Sequence, residues 1–285
     1  MKFIVGGLMA LSVIAATPAV GVAQTAVQAG EWRTVAPENL LVIDTSKGRI
    51  LVELAPFAAP NHVERIRTLA DQGFYDGHKF HRVIDAFMAQ TGDPLGTGAG
   101  GSQLPDLTAE FGFRRGRDSG FVPVIPGAAP EGFIGSLPVM SQPDAQMFVT
   151  ADMRTAANAE FCAGAAAMAR GQSPNSANSQ FFLMRDTRVS MNGQYTVWGQ
   201  VVSGQDVVRS LKHGLDTMDG AVTQDPDIMT HVRTAASLPA AQRPTVRVLD
   251  PHSARFTALV EQARAARGNQ FSICDIVLPV EVSGG

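Results

Sequence analysis

Residues 74–94 read FYDGHKFHRVIDAFMAQTGDP, and the side chains gathered there suit one kind of chemistry. Arg82 supplies a cation two residues beyond Phe80, and Phe87, Met88 and Gln90 follow within a short stretch. A second run, Ser179-Gln180-Phe181-Phe182, lies far downstream. A cation, an amide and apolar rings together can hold a proline ring and perturb the amide bond before it. An X-Pro bond prefers trans by only about 0.5–1 kcal/mol, yet its isomers exchange slowly. The barrier of about 18–20 kcal/mol comes from amide resonance. A catalyst therefore needs no nucleophile; it must favour the twisted amide over both planar forms. Twisting leaves a lone pair on the prolyl nitrogen, and a guanidinium presents a rigid, always-charged fork to it. Taken singly, an arginine is usually a surface residue, and Phe or Met usually a core residue. The combination and its order carry the reading.

The two runs resemble the cyclophilin family of peptidyl-prolyl cis/trans isomerases, which carry FHRVI-x-x-FM-x-Q-x-GD and later SQFF. The resemblance implies that Arg82 is catalytic. It implies a proline pocket at Phe87, Met88, Phe182, Met191 and Tyr195, with Gln90 and Gln180 holding substrate and positioning the arginine. Ala169, Arg170 and Gly171 match a short strand whose backbone pairs with the substrate. Gly98 matches a loop on the side of the residues preceding the proline. The resemblance covers about 40–112 and 163–235. The implied fold is mainly β: a closed antiparallel β-barrel capped by two helices, with a long loop insert at about 113–160 and a C-terminal helix/strand extension. Neither a cofactor nor a metal is implied, and the implied partners are proline-containing polypeptides. Arg170 stands where the family often has Asn, Tyr195 where it often has His, and Ser190 at a rim position often held by Trp. The alternative is a binding or chaperone module on the same scaffold, with the insert over the groove.

The local patterns agree with such a barrel. Leu40–Thr45 and Arg49–Leu54 read as strands of a hairpin turning at Lys47-Gly48. Pro60 suits a helix's first turn, Val63, Ile66, Leu69 and Ala70 form a helical stripe, and Gly73 suits its stop. Val83-Ile84 and Phe87–Gln90 read as strands around Asp85-Ala86, and Gln205–His213 as a short helix. Residues 228–235 suit a closing strand. Beyond it come strand-like Thr245–Leu249, a helix around 253–267 and strand-like Phe271–Val282. Residues 24–38 look like an N-terminal tail. Gly96, Gly98 and Gly101 fit a dinucleotide fingerprint by spacing, but no helix follows them. His78 and His81 have poor ligand spacing on a strand.

The chain has 285 residues, 45 % of them hydrophobic, and a formal net charge of −3. No basic block favours nucleic acid. Lys2 followed by the apolar stretch Phe3–Ala16 resembles a secretory leader, and Gly21-Val22-Ala23 offers a cleavage site. The expected organisation is a signal peptide at 1–23, an isomerase domain at 24–236 and an extension at 237–285 packed on it. The expected product is exported, soluble and periplasmic, without stable membrane insertion once the leader is removed. An uncleaved anchor is the alternative. Cys162 and Cys274 are the two cysteines, one in each addition to the barrel. In an oxidising compartment they admit a single bridge, the alternative being two separate buried thiols.

Overall fold

The computed structural model describes Met1 and residues 30–285. The leader read over 1–23 lies, Met1 apart, outside the described residues. The first half of the described chain runs β1 (Trp32–Thr34), β2 (Leu40–Thr45), β3 (Gly48–Leu54), α1 (Pro60–Asp71), β4 (Arg82–Ile84) and β5 (Met88–Thr91). Then come β6 (Phe113–Arg115), β7 (Val122–Ile125), β8 (Glu131–Ile134), β9 (Leu137–Ser141) and β10 (Thr155–Ala159). The remainder is β11 (Ala165–Met168), β12 (Phe181–Met184), β13 (Val197–Ser203), α2 (Gln205–Ser210), β14 (Met229–Thr234), β15 (Thr245–Leu249), α3 (Ala254–Arg267) and β16 (Val280–Ser283).

Eight strands form one antiparallel sheet in the order β14-β2-β3-β13-β11-β12-β5-β4. The sheet curls until its edges approach. There Lys79 bridges Ile228, Phe80 N–H donates to Asp227 O at 2.9 Å, and Val83 N–H donates to Gly220 O at 2.8 Å. The inward residues explain the curl: Leu41, Ile43, Val52, Phe80, Phe181 and Trp198 meet in one core. Helix α1 plugs it with the stripe Val63, Ile66, Leu69 and Ala70, all buried. No side chain next to the helix start caps it. Glu110 does so from afar, accepting from Asn61 N–H at 3.2 Å and His62 N–H at 3.1 Å. That anchors the segment carrying Phe111, which matters below.

The insert forms a sheet of its own, ordered β6-β10-β9-β8-β7. Its apolar residues Ile134, Leu137 and Val139 pack on the outer face of the barrel with Met88, Phe182 and Met184. Each buried side chain of this size contributes about 1.5–3 kcal/mol. The insert thus backs the wall that carries Met88 and Phe182.

The two chain ends share a third sheet, β1-β15-β16. Part of the segment read as a tail is therefore strand, with Trp32 opposite Leu249. Phe256, Val260, Ile273 and Ile276 bury against Phe133 of the insert, and the Phe133 and Phe256 rings meet edge-on at 5.6 Å. Cys162 and Cys274 are joined by a disulfide, with Cα atoms 5.1 Å apart.

Two elements differ from their sequence reading. The helix expected over Gln205–His213 ends at Ser210. Leu211 turns into the core and Lys212 N–H donates to Asp227 Oδ2 at 2.8 Å, so tertiary bonds outbid helix continuation. Phe271–Val282 holds a strand only from Val280. Ser272 and Asp275 cap one another's backbone in a tight turn, which interrupts extended chain.

Candidate active site

The β4–β5 hairpin places Arg82 directly opposite Gln90, and β5–β12 pairing places Gln90 opposite Phe182. Directly opposed residues project from the same face of a sheet. Register alone therefore lines up the cation, the amide and the ring. Ala86, at φ 48, makes the turn between these strands. Phe87 follows it, its ring under the Arg188 guanidinium at 5.7 Å.

The polar side chains are fixed by one another. Arg82 Nη1 donates to Gln90 Oε1 at 3.1 Å. Gln90 Nε2 donates to Gln180 Oε1 at 2.9 Å. Gln180 Nε2 donates to the carbonyls of Gly98 at 2.9 Å and Gly100 at 2.8 Å. From the other side Arg82 Nε donates to Asp219 O at 3.0 Å, and Arg82 Nη2 to Asp219 Oδ1 at 3.0 Å. The guanidinium is thus oriented yet remains 31 % exposed. A bound peptide can reach it.

The ring-bearing half is a hollow of about 150 Å3 lined by Arg82, Phe87, Met88, Gln90, Ala169, Arg170, Phe182, Met191 and Tyr195. Phe182 is braced from behind by Phe161, stacked at 6.2 Å, and edge-on by Tyr195 at 5.7 Å. The Arg170 guanidinium lies over Tyr195 at 4.6 Å and Phe111 at 5.5 Å, closing the rim.

A second, larger cavity of about 440 Å3 shares Gln90, Ala169 and Arg170 with the first and adds Gly98, Gly171 and Gln180. The structure therefore gathers every candidate side chain from Arg82 to Tyr195 around two adjoining hollows. Within 169–171, Ala169 N–H is bonded to Gln180 O at 2.9 Å and Gly171 N–H to Ser176 Oγ at 2.9 Å. That leaves Arg170 as the member whose N–H has no partner among the described residues. The loop carrying Gly98 hangs on Asp93, whose carboxylate accepts from Leu95 N–H at 2.8 Å, Thr97 N–H at 2.8 Å and Gly98 N–H at 2.6 Å. Burial opposes charge on Asp93, but these backbone donors win and bring its pKa down to about 2. Gly92 lets this loop lie against β12, since a Cβ there would collide with the Ser179 carbonyl.

Three contributors were not singled out from the sequence. Asp219 holds Arg82 from 137 positions away and sits in the left-handed region at φ 53. The following Gly220 is the only local hint of that turn. Phe161 backs the pocket and Phe111 supports Arg170, both from chain bordering the insert. Ser190, the rim position, is exposed, and its carbonyl accepts from Gln194 Nε2 at 2.6 Å.

Glu160 is buried behind the pocket, where its Oε2 accepts from Asn192 Nδ2 at 3.3 Å and its Oε1 has no partner among the described residues. Burial, with the Glu131 carboxylate nearby, pushes its pKa up to about 7. A raised carboxylate pKa means the folded state holds the proton more tightly than the unfolded state. Stability from this group is full below about pH 4.5 and declines as pH rises through about 7. Glu160→Gln is therefore expected to stabilise the protein at pH 8 by roughly 1–3 kcal/mol. At pH 5 it should change little. Urea melts of both proteins at the two pH values check this.

Comparison with known proteins agrees with the geometry. Residues 40–234 match the model of the family described as cyclophilin type peptidyl-prolyl cis-trans isomerase/CLD. A probable peptidyl-prolyl cis-trans isomerase of Brucella suis is 36 % identical over 238 residues, covering 80 % of this chain and 94 % of the relative. A peptidyl-prolyl cis-trans isomerase-like protein of Aspergillus fumigatus is 32 % identical over 171 residues, covering 60 % of this chain and 80 % of its own. A crystallised cyclophilin from Hirschia baltica superimposes with a TM-score of 0.79 at 33 % identity, covering 89 % of this chain and 94 % of its own. With its barrel, its Arg82–Gln90–Gln180 chain and these relatives, the protein belongs to the cyclophilin-type peptidyl-prolyl cis/trans isomerases.

Proposed function

We propose that this isomerase acts on X-Pro bonds of exported polypeptides during folding, and that Arg82 is its catalytic residue. One observation carries the reading: a guanidinium clamped by Gln90 and Asp219 at the mouth of a proline-sized hollow set with the side chains of Phe87, Met88, Phe182, Met191 and Tyr195. The ring enters between Phe87, Met88, Phe182, Met191 and Tyr195. The preceding residue lies along Ala169–Gly171 and the Gly98 loop. As the amide twists, its nitrogen loses resonance and accepts from the guanidinium. That contact is stronger in the twisted state than in either planar one, so the barrier falls. Gln90 and Gln180 keep the donor aimed, so little reorganisation accompanies the twist.

Export is supported by the leader-like residues 1–23 and by a disulfide, a bond that persists in oxidising compartments. We assign 24–236 to the isomerase domain and 237–285 to an extension packed upon it. A protease-coupled assay on an Ala-Pro peptide tests the activity. Absence of acceleration by folded protein would leave only a peptide-binding role. Fractionation of cells expressing the full chain tests the compartment.

Ser190 also bears on inhibition. Cyclosporin-like macrocycles are expected to bind weakly compared with their binding to cyclophilins carrying Trp at this rim, because serine lacks the indole's apolar area and its N–H donor. Titration of such a macrocycle against activity checks this. Nanomolar inhibition would mean another residue replaces the indole.

A further inference from the structure

A trough of about 560 Å3 runs across the insert sheet beside the proline pocket. Its floor is made where β10 alternates outward: Ala156 is exposed and Asn158 half-buried, opposite Arg114 and Met140 on the neighbouring strands. Phe111, Phe113 and Gly193 also line it. Two features join it to the site already described. Phe111 lies in the trough and also beneath the Arg170 guanidinium, which lines the proline pocket. Gly193 falls between Met191 and Tyr195, both pocket residues, and a Cβ built on it would meet none of the described residues within 4 Å.

We propose that this trough is a further subsite of the same groove, taking residues that flank the proline in an extended, unfolded polypeptide. The proposal rests on the isomerase reading and names its substrate class. The small side chain of Ala156 lets a peptide backbone approach closely. The rings and Met140 offer apolar contact, and the Asn158 amide can both donate to and accept from a peptide unit. Arg114 does not add a free charge, because Asp152 holds it at 2.7 Å. The trough therefore suits neutral, apolar flanking residues rather than acidic ones.

Ala156→Trp fills the trough from an exposed position without entering the core. With a peptide of about twelve residues carrying apolar residues on both sides of one proline, KM is expected to rise about tenfold with kcat unchanged. With a tetrapeptide, neither constant should change. Met140→Ala, which removes contact without adding bulk, should raise KM for the long peptide about threefold. The proposal is overturned if the long peptide's KM is the same in both variants as in the wild type. It is equally overturned if the tetrapeptide suffers as much, or if the wild type shows the same KM for both lengths. Calorimetric titration of the long peptide reads the trough independently of turnover. Tight binding lost in Ala156→Trp, with no isomerisation by the wild type, would retain the subsite and remove the catalytic reading.

Discussion

Arg82→Ala is expected to lower kcat/KM by at least about tenfold, roughly 1.4 kcal/mol of transition-state stabilisation. Arg82 is the cation that both lines the hollow and stays exposed enough to meet a bound amide. Arg170 also lines it, but its guanidinium is spent on Gln194 O at 3.2 Å and on the faces of Tyr195 and Phe111. Fold damage should be slight, because Gln90 and Asp219 lose a partner at the surface rather than in the core. The loss should appear in kcat as well as in kcat/KM, since the donor acts on the twisted amide. Protease-coupled kinetics, with circular dichroism to confirm folding, decide the matter. Turnover like the wild type in a folded Arg82→Ala protein would sink this mechanism.

Removing the disulfide is the second large effect expected, and it should fall on stability. Cys162 and Cys274 are separated by 112 residues. In the chain-entropy picture, closing a loop of that size restricts the unfolded chain by about 4–5 kcal/mol. The double variant Cys162→Ala/Cys274→Ala should therefore melt roughly 10 °C lower. Its turnover at low temperature should change far less, because neither sulfur lines the proline hollow. Thermal melts paired with initial rates distinguish the two quantities. An unchanged Tm would show that apolar packing around Phe256, Val260 and Ile273 already holds the extension.

Elements whose residues face two different environments were legible from sequence. Leu40–Leu54 combines β-branched runs with a Lys-Gly turn, and α1 carries a clean stripe from Val63 to Ala70. Arg82 and Gln90 lie close in sequence, so hairpin register brings them into line, while Phe182 joins them through the pairing of β12 with β5. The insert strands were not legible, because they are three to five residues long and broken by Pro123, Gly132 and Pro138. Strands that short have too few alternations to show a period. Asp219 was out of reach for a different reason. Its partnership with Arg82 depends on a left-handed backbone turn and on barrel closure, neither of which a local pattern records. Helix α2 was overextended because Leu211 looks like a continuing helical position, while its burial is decided by tertiary contacts.

The pairing of β2 with β14 sets an order of events as the chain is made. Leu41 lies opposite Thr234 in that ladder. The barrel's first and last strands in chain order are thus separated by most of the polypeptide. Hairpins such as β2–β3 and β4–β5 form from local chain, but contacts so distant in sequence form late and slowly. The Arg82 clamp belongs to the late group, because Asp219 and the Gly220 carbonyl arrive just ahead of β14. A nascent chain released only as far as Tyr195 holds the rings of the pocket and Gln90, but not Asp219, the other half of the clamp on its cation. The fully clamped site is therefore completed only near the end of synthesis.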